Sequence, residues 1–174
     1  MIYVIILNKE ELFMDNTKEQ IMIFMKARTN LLIALVFTAI NLLLLATQSD
    51  VYFLFSATIP YFILAVAQEM GSDFFVTGLI ISTAALGVYF ASWYLSKRHR
   101  YFMLIALIIF IFDTLLLLSF LAVSELDLSY IIEIAFHIWV LYYLFTGVKA
   151  WKALRGIEIS EDDLSNSIKI KDEN

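Results

Sequence analysis

Apolar residues in this chain collect into five long runs, at 31–46, 51–67, 74–95, 101–123 and 130–150, separated by short polar links. Within the runs the pattern is neither the alternation of a half-buried strand nor the one-sided stripe of a surface helix, because hydrophobic side chains occupy every face. A helix that crosses a bilayer needs about 20 apolar residues, with roughly 17–25 the usual range. The third, fourth and fifth runs meet that length, and the first does so when Thr29, Asn30, Thr47 and Gln48 are placed at the interfaces. The second run holds Pro60, which denies one helical hydrogen bond and strains the turn before it. Ser56 and Thr58 stand close enough to satisfy the backbone groups that such a break exposes.

Charge placement discriminates between four spans and five. The basic clusters are Lys18, Lys26 and Arg28; Lys97, Arg98 and Arg100; and Lys149, Lys152 and Arg155. Lys and Arg near membrane segments favour the cytoplasmic side. If all five runs cross, the first cluster is separated from the other two; if 51–67 does not cross, all nine residues share the cytoplasmic side. The links 48–50, 68–73 and 124–128 then lie outside, carrying Asp50, Glu69, Asp73, Glu125 and Asp127 without a single Lys or Arg. The expected fold class is therefore all-α, a polytopic bundle of four spanning helices with both termini cytoplasmic. Residues 51–67 are expected to form an outer-side re-entrant or interfacial hairpin, five spanning helices being the alternative. Trp93 and Tyr94 beside Lys97, and Trp151 beside Lys152, fit an aromatic belt at the inner interface.

Three segments divide the chain. Residues 1–28 read as a cytoplasmic segment in which Thr17 and Gln20, at capping-box spacing ahead of Ile21, open a short amphipathic helix on the membrane surface. Its residues 1–13 read as non-native: Lys9, Glu10 and Glu11 are codable as a purine-rich ribosome-binding sequence just ahead of Met14, which makes Met14 the expected start. The short apolar run at 1–7 lacks the basic flank and cleavage site of a signal peptide. Residues 29–154 make the bundle, and 155–174 read as a flexible acidic tail with a helical turn capped by Ser160. In the third run Thr83, Gly87 and Ala91 stand four apart, as do Gly78 and Ser82, a spacing that suits close helix packing.

Composition agrees with the membrane class. Hydrophobic residues make up 61% of the 174 and charged residues 17%, and the mean hydropathy is +0.83, well outside the range of soluble domains. The net charge of −5 gives no footing for nucleic acid. The bilayer is the expected partner, with a homo-oligomer or a larger membrane protein beside it. The chain has no Cys, which excludes disulfides and thiolate metal sites.

Against this apolar background four polar residues stand out. Asp113 lies near the centre of the longest run, where a carboxyl group is expensive and needs a partner. Glu133 and His137, four apart, share a face of the fifth helix that can meet it. Helix rise places Asp113 roughly 16 Å, His137 roughly 12 Å, Asn41 about 9 Å and Glu133 about 6 Å below the outer edge. Two readings compete. In one, interhelical hydrogen bonds from Asn41, Asp113 and His137 hold the bundle, each worth about 1 kcal/mol. In the other, Asn41, Asp113, Glu133 and His137 form a pocket that handles protons, cations or a small polar solute. The matching alternative function is a non-transporting assembly or regulatory subunit. A metal held by Asp113, Glu133 and His137 is a weaker reading, since the His-Glu-x-x-His pattern is absent. His99 belongs with the basic loop. The Gly-x-Ser-x-Gly elbow, paired deep aspartates, the P-loop and the dinucleotide fingerprint are all missing, so neither an enzyme nor a cofactor is expected.

The stretch Tyr52 to Tyr61, the stretch Phe136 to Leu144 continued by Gly147 to Ala150, and Phe112-Asp113-Thr114 together resemble a family of small bacterial multipass membrane proteins. The resemblance covers most of 28–154 and implies a bacterial cell-membrane setting without implying an activity. The link after Ala67 is shorter than the outer insertion of that family, which weakens any case for an external domain.

Overall fold

A computed structural model describes residues 2–49, 51–121 and 127–155. Five helices follow in order: α1 (Ile2–Ala46), α2 (Thr58–Glu69), α3 (Ser72–Leu95), α4 (Phe102–Leu121) and α5 (Leu128–Ala153). The described residues contain no strand. Four stretches are long and apolar enough to cross a membrane: Met14–Ala46, Ser72–Leu95, Phe102–Phe120 and Leu128–Ala153. The second apolar run does not make a fifth. Its 12-residue helix is about 18 Å long, well short of the ~30 Å hydrocarbon core.

The four long helices close a ring in which α1 touches α5 and α3, and α4 touches α5 and α3. The segment 51–57, without regular structure, enters this ring at one end, and α2 leads the chain back out between α1, α3 and α4. That hairpin shares its end of the bundle with the links at 47–49, 70–71 and 127. Lys97, Arg98 and Arg100 lie at the opposite, basic end.

Helix packing here depends on close approach, since lipid removes the hydrophobic drive between spans. A Cβ built on Gly78 would lie 2.1 Å from the Cβ of Ala67, and one on Gly147 would lie 2.5 Å from that of Ala27. Gly78 thus meets α2, and Ser82, four residues on, is buried as well. Thr83, Gly87 and Ala91 point the other way and are exposed among the described residues.

Arginine holds the basic end together. Arg28 donates from Nε to Ser96 Oγ at 3.0 Å and from Nη2 to the Trp93 carbonyl at 3.4 Å, and its guanidinium lies 5.6 Å from the Trp93 ring centroid. Arg100 donates to the Leu154 carbonyl at 3.1 Å. Each cation satisfies carbonyls at the C-terminal end of a span, where the helix dipole is negative.

Two expectations change. The turn bearing Thr17 and Gln20 is not a helix start, because α1 runs unbroken from Ile2 to Ala46. Ile21 and Phe24 are buried, continuing the inward stripe of the first span through Ala27, Leu31 and Leu35. Pro60 does not interrupt a helix either. Ala57 is the N-cap of α2, so Pro60 stands in the first turn, where its missing N–H would have had no intrahelical partner. Residues 156–174, with the turn at Ser160, lie outside the described residues.

Candidate functional site

Three of the spans, α1, α4 and α5, carry an inward stripe whose apolar middle turns polar at the depth of the hairpin. On α1, Leu31 and Leu35 give way to Thr38 and Asn41; on α4, Met103 and Phe110 give way to Asp113; on α5, Leu144 and Val140 give way to His137 and Glu133. These residues repeat at three- and four-residue spacing, so they fall on one face of each helix. On α3 the buried Tyr89 supplies the matching group.

The polar groups answer the irregular backbone that enters among them. A helix leaves its first four N–H groups without intrahelical partners, and in hydrocarbon each of them must be satisfied. The Ala57 N–H donates to Thr38 Oγ1 at 2.8 Å, the Thr58 N–H to Asp113 Oδ2 at 2.8 Å and the Ile59 N–H to Asp113 Oδ1 at 2.7 Å. The fourth position is Pro60, which has no N–H. Asp113 therefore caps α2 from another helix, and its negative charge lies against the positive end of the α2 dipole. Asn41 pins the other leg. It accepts from the Phe53 N–H at 2.9 Å, and its Nδ2 donates to the Phe53 carbonyl at 2.7 Å and to Ser56 Oγ at 2.8 Å.

Asp113 has two further donors. Tyr89 Oη–H donates to Oδ1 at 2.8 Å, and His137 Nε2 lies 3.0 Å from Oδ2. Both Asp113 and His137 are fully buried. His137 Nδ1 lies 2.9 Å from the main-chain carbonyl of Glu133, an acceptor only, so Nδ1 carries a hydrogen. The Nε2–Oδ2 contact then needs a proton of its own. That proton lies between His137 and Asp113, so Nε2 is committed to a carboxyl group that three other donors already hold in place.

Thr58 Oγ1 lies 3.3 Å from the same Nε2. A Thr-His-Asp hydrolytic arrangement would need Asp113 on Nδ1 and a free Nε2 lone pair facing the hydroxyl. Here both nitrogens are already committed, and His137 has nothing left with which to accept a proton from Thr58.

Glu133 separates from the other three predicted residues. Its carboxylate does not reach Asp113; it accepts a hydrogen bond at Oε1 from the Tyr52 hydroxyl on the entering leg of the hairpin. Only its main-chain carbonyl meets His137. The side chain is 6% exposed and lines a cleft of about 700 Å³ between the hairpin, α4 and α5. Thr58, Ser129, Asp127, Tyr52, Tyr61 and Tyr130 supply the other polar groups of that lining. Asp127 is the N-cap of α5, and its contact with the Ser129 N–H holds its carboxyl below the usual carboxylate range. No group of three or more His, Asp or Glu placed to hold a metal ion occurs among the described residues.

Four partners escaped the sequence reading: Thr38, Tyr89, Tyr52 in its bond to Glu133 and Ser56 in its bond to Asn41. A signal existed for two of them. Thr38 shares the Asn41 face, three residues away, and Tyr89 is a phenol in mid-span that needs an acceptor when buried. Scans against family models, curated proteins and solved structures find no match to this chain.

Proposed function

We propose that this chain is a small integral membrane protein that handles a small charged or polar solute at the cleft walled by the hairpin, α4 and α5. In this reading Glu133 faces the solute, while Asn41, Asp113 and His137 hold the wall. The single observation that carries it is the division of the polar cluster. Asn41, Asp113 and His137 spend their hydrogen bonds on the hairpin and on the Asp113–His137 contact, and of the four only Glu133 presents a carboxylate to a cavity of ligand size. The commitment of both His137 nitrogens favours binding over hydrolysis.

The positive-inside bias of Arg28, Lys97, Arg98 and Arg100 supports a cytoplasmic basic end with both termini inside, so the cleft faces outward. The resemblance noted above supports a bacterial cell membrane as the setting.

Proteoliposome uptake of small radiolabelled cations tests the proposal. Glu133→Gln is expected to leave a folded protein with binding and flux lost, whereas Asp113→Asn is expected to lower detergent stability first. Wild-type vesicles that neither bind nor pass any charged or polar solute would overturn it. A non-transporting assembly or regulatory subunit is the second reading, favoured by α3. Its span is the least buried of the four, 17% of the window, and Thr83, Gly87 and Ala91 lie uncovered on it. A stable homodimer or hetero-complex broken by Gly87→Leu, with no solute effect at Glu133, would decide for that reading.

A further inference from the structure

We infer that the cleft takes an organic ammonium ion, with Glu133 as its counter-charge and a ring of aromatic side chains as its walls. This deepens the proposed function and rests on the cleft being the solute site. The charge of the lining points to a cation: Glu133 and Asp127 are its ionisable carboxyls, and it contains no Lys, Arg or His among the described residues. Asp127 is occupied in capping α5 at the rim. Glu133, nearly buried and with one hydrogen bond from Tyr52 among the described residues, keeps its second oxygen for a ligand. A buried carboxylate without a cation is costly, and a cationic guest would offset that cost.

The kind of cation follows from the rest of the wall. Tyr52, Tyr61, Phe62, Phe120 and Tyr130 line the same cleft. Two pairs among them stand in contact, with ring centroids 4.8 Å apart for Tyr52 and Tyr61 and 4.7 Å apart for Phe62 and Phe120. A bare metal ion needs several oxygen ligands at short range to replace its water, and one free carboxylate among aromatic rings does not supply them. Aromatic rings attract an alkylated or primary ammonium through their quadrupoles and bury its carbon substituents in the same contact. At about 700 Å³ the space suits a small organic ligand and far exceeds a dehydrated ion. The hydroxyls of Thr58, Ser129 and Tyr130 offer acceptors to an N–H or an alcohol on the guest.

Calorimetric titration of the purified full chain with choline, at constant ionic strength and with sodium as the control, tests the assignment. Saturable choline binding is expected, with affinity falling roughly tenfold or more in Glu133→Gln and severalfold in Phe120→Leu, as the loss of a charge partner and of one aromatic wall requires. On the wild-type protein, the neutral isostere in which carbon replaces the quaternary nitrogen should bind at least roughly tenfold more weakly. Equal binding of that isostere would overturn the ammonium assignment while leaving the cleft as a solute site. Preference for sodium over choline and over a primary amine such as ethylammonium would likewise overturn the ammonium class and keep a cation site. If choline, ethylammonium, sodium and the isostere all fail to bind, the ammonium assignment and the cleft reading fall together.

Discussion

A carboxylate in the middle of a membrane span has to be satisfied by something, and for Asp113 that something is mostly main chain. Two of its four donors are the Thr58 and Ile59 amides, and the others are Tyr89 and His137. Asp113→Asn keeps the size of the group but replaces one acceptor oxygen with an amino group that faces donors. We expect a loss of about 2–4 kcal/mol, the cost of leaving buried donors unpaired and of removing a charge-assisted contact. Chemical unfolding in detergent, followed by helical circular dichroism, measures it; a change within about 0.5 kcal/mol, the level of an ordinary surface substitution, would contradict the capping role. Asn41→Leu should be comparably damaging, because the Phe53 N–H and carbonyl lose their partners together. Glu133→Gln should be much milder. Its oxygen can still accept from Tyr52, and the other cluster residues do not depend on its side chain.

At the scale of elements, α2 exists because Thr38 of α1 and Asp113 of α4 complete its first turn. Alone, 12 residues are marginal as a helix even in favourable sequences, and this one starts inside the bundle at Thr58, with Pro60 in its first turn. A proline in mid-helix costs about 3 kcal/mol, so its removal from a kinked span would stabilise by a similar amount. Pro60→Ala should do the opposite here. It adds an N–H at a buried helix start and is expected to destabilise modestly, by about 1 kcal/mol, with thermal unfolding in detergent as the measurement. The α2–α3 contact is set by absent volume at Gly78. Gly78→Ala should destabilise through the clash with Ala67 by roughly 1–3 kcal/mol, and adding Ala67→Gly should recover part of that loss, giving a favourable coupling in a double-mutant cycle. Independent, additive effects would show that the two sites do not touch.

For the whole molecule, four spans and a hairpin predict which surfaces share a side of the membrane. The missing Cys makes single-cysteine labelling clean. Cysteines placed at Met70 and at Leu128, both exposed, should react with an impermeant thiol reagent from the same side, and one at Arg98 from the opposite side. Labelling of positions 70 and 98 from one side would break the four-span arrangement. The class of the protein and its spans were readable without coordinates because the bilayer imposes a minimum apolar length on each crossing, and that is a property of composition along the chain. The exclusion of 51–67 as a span was readable too, from the distribution of Lys and Arg and from the proline within it. Asp113 could be singled out for the same kind of reason, since its cost depends only on its surroundings being apolar. Its partners could not be named, because the donors that meet it include main-chain amides at 58 and 59, more than 50 residues away in sequence, which are chemically identical to every other amide in the chain. Only the tertiary structure could decide that Pro60 begins a helix rather than breaking one, and that Glu133 leaves the cluster for the cleft. Both outcomes follow from where the hairpin enters the ring of helices, and that position is fixed by the joint satisfaction of buried backbone groups, which no single segment encodes.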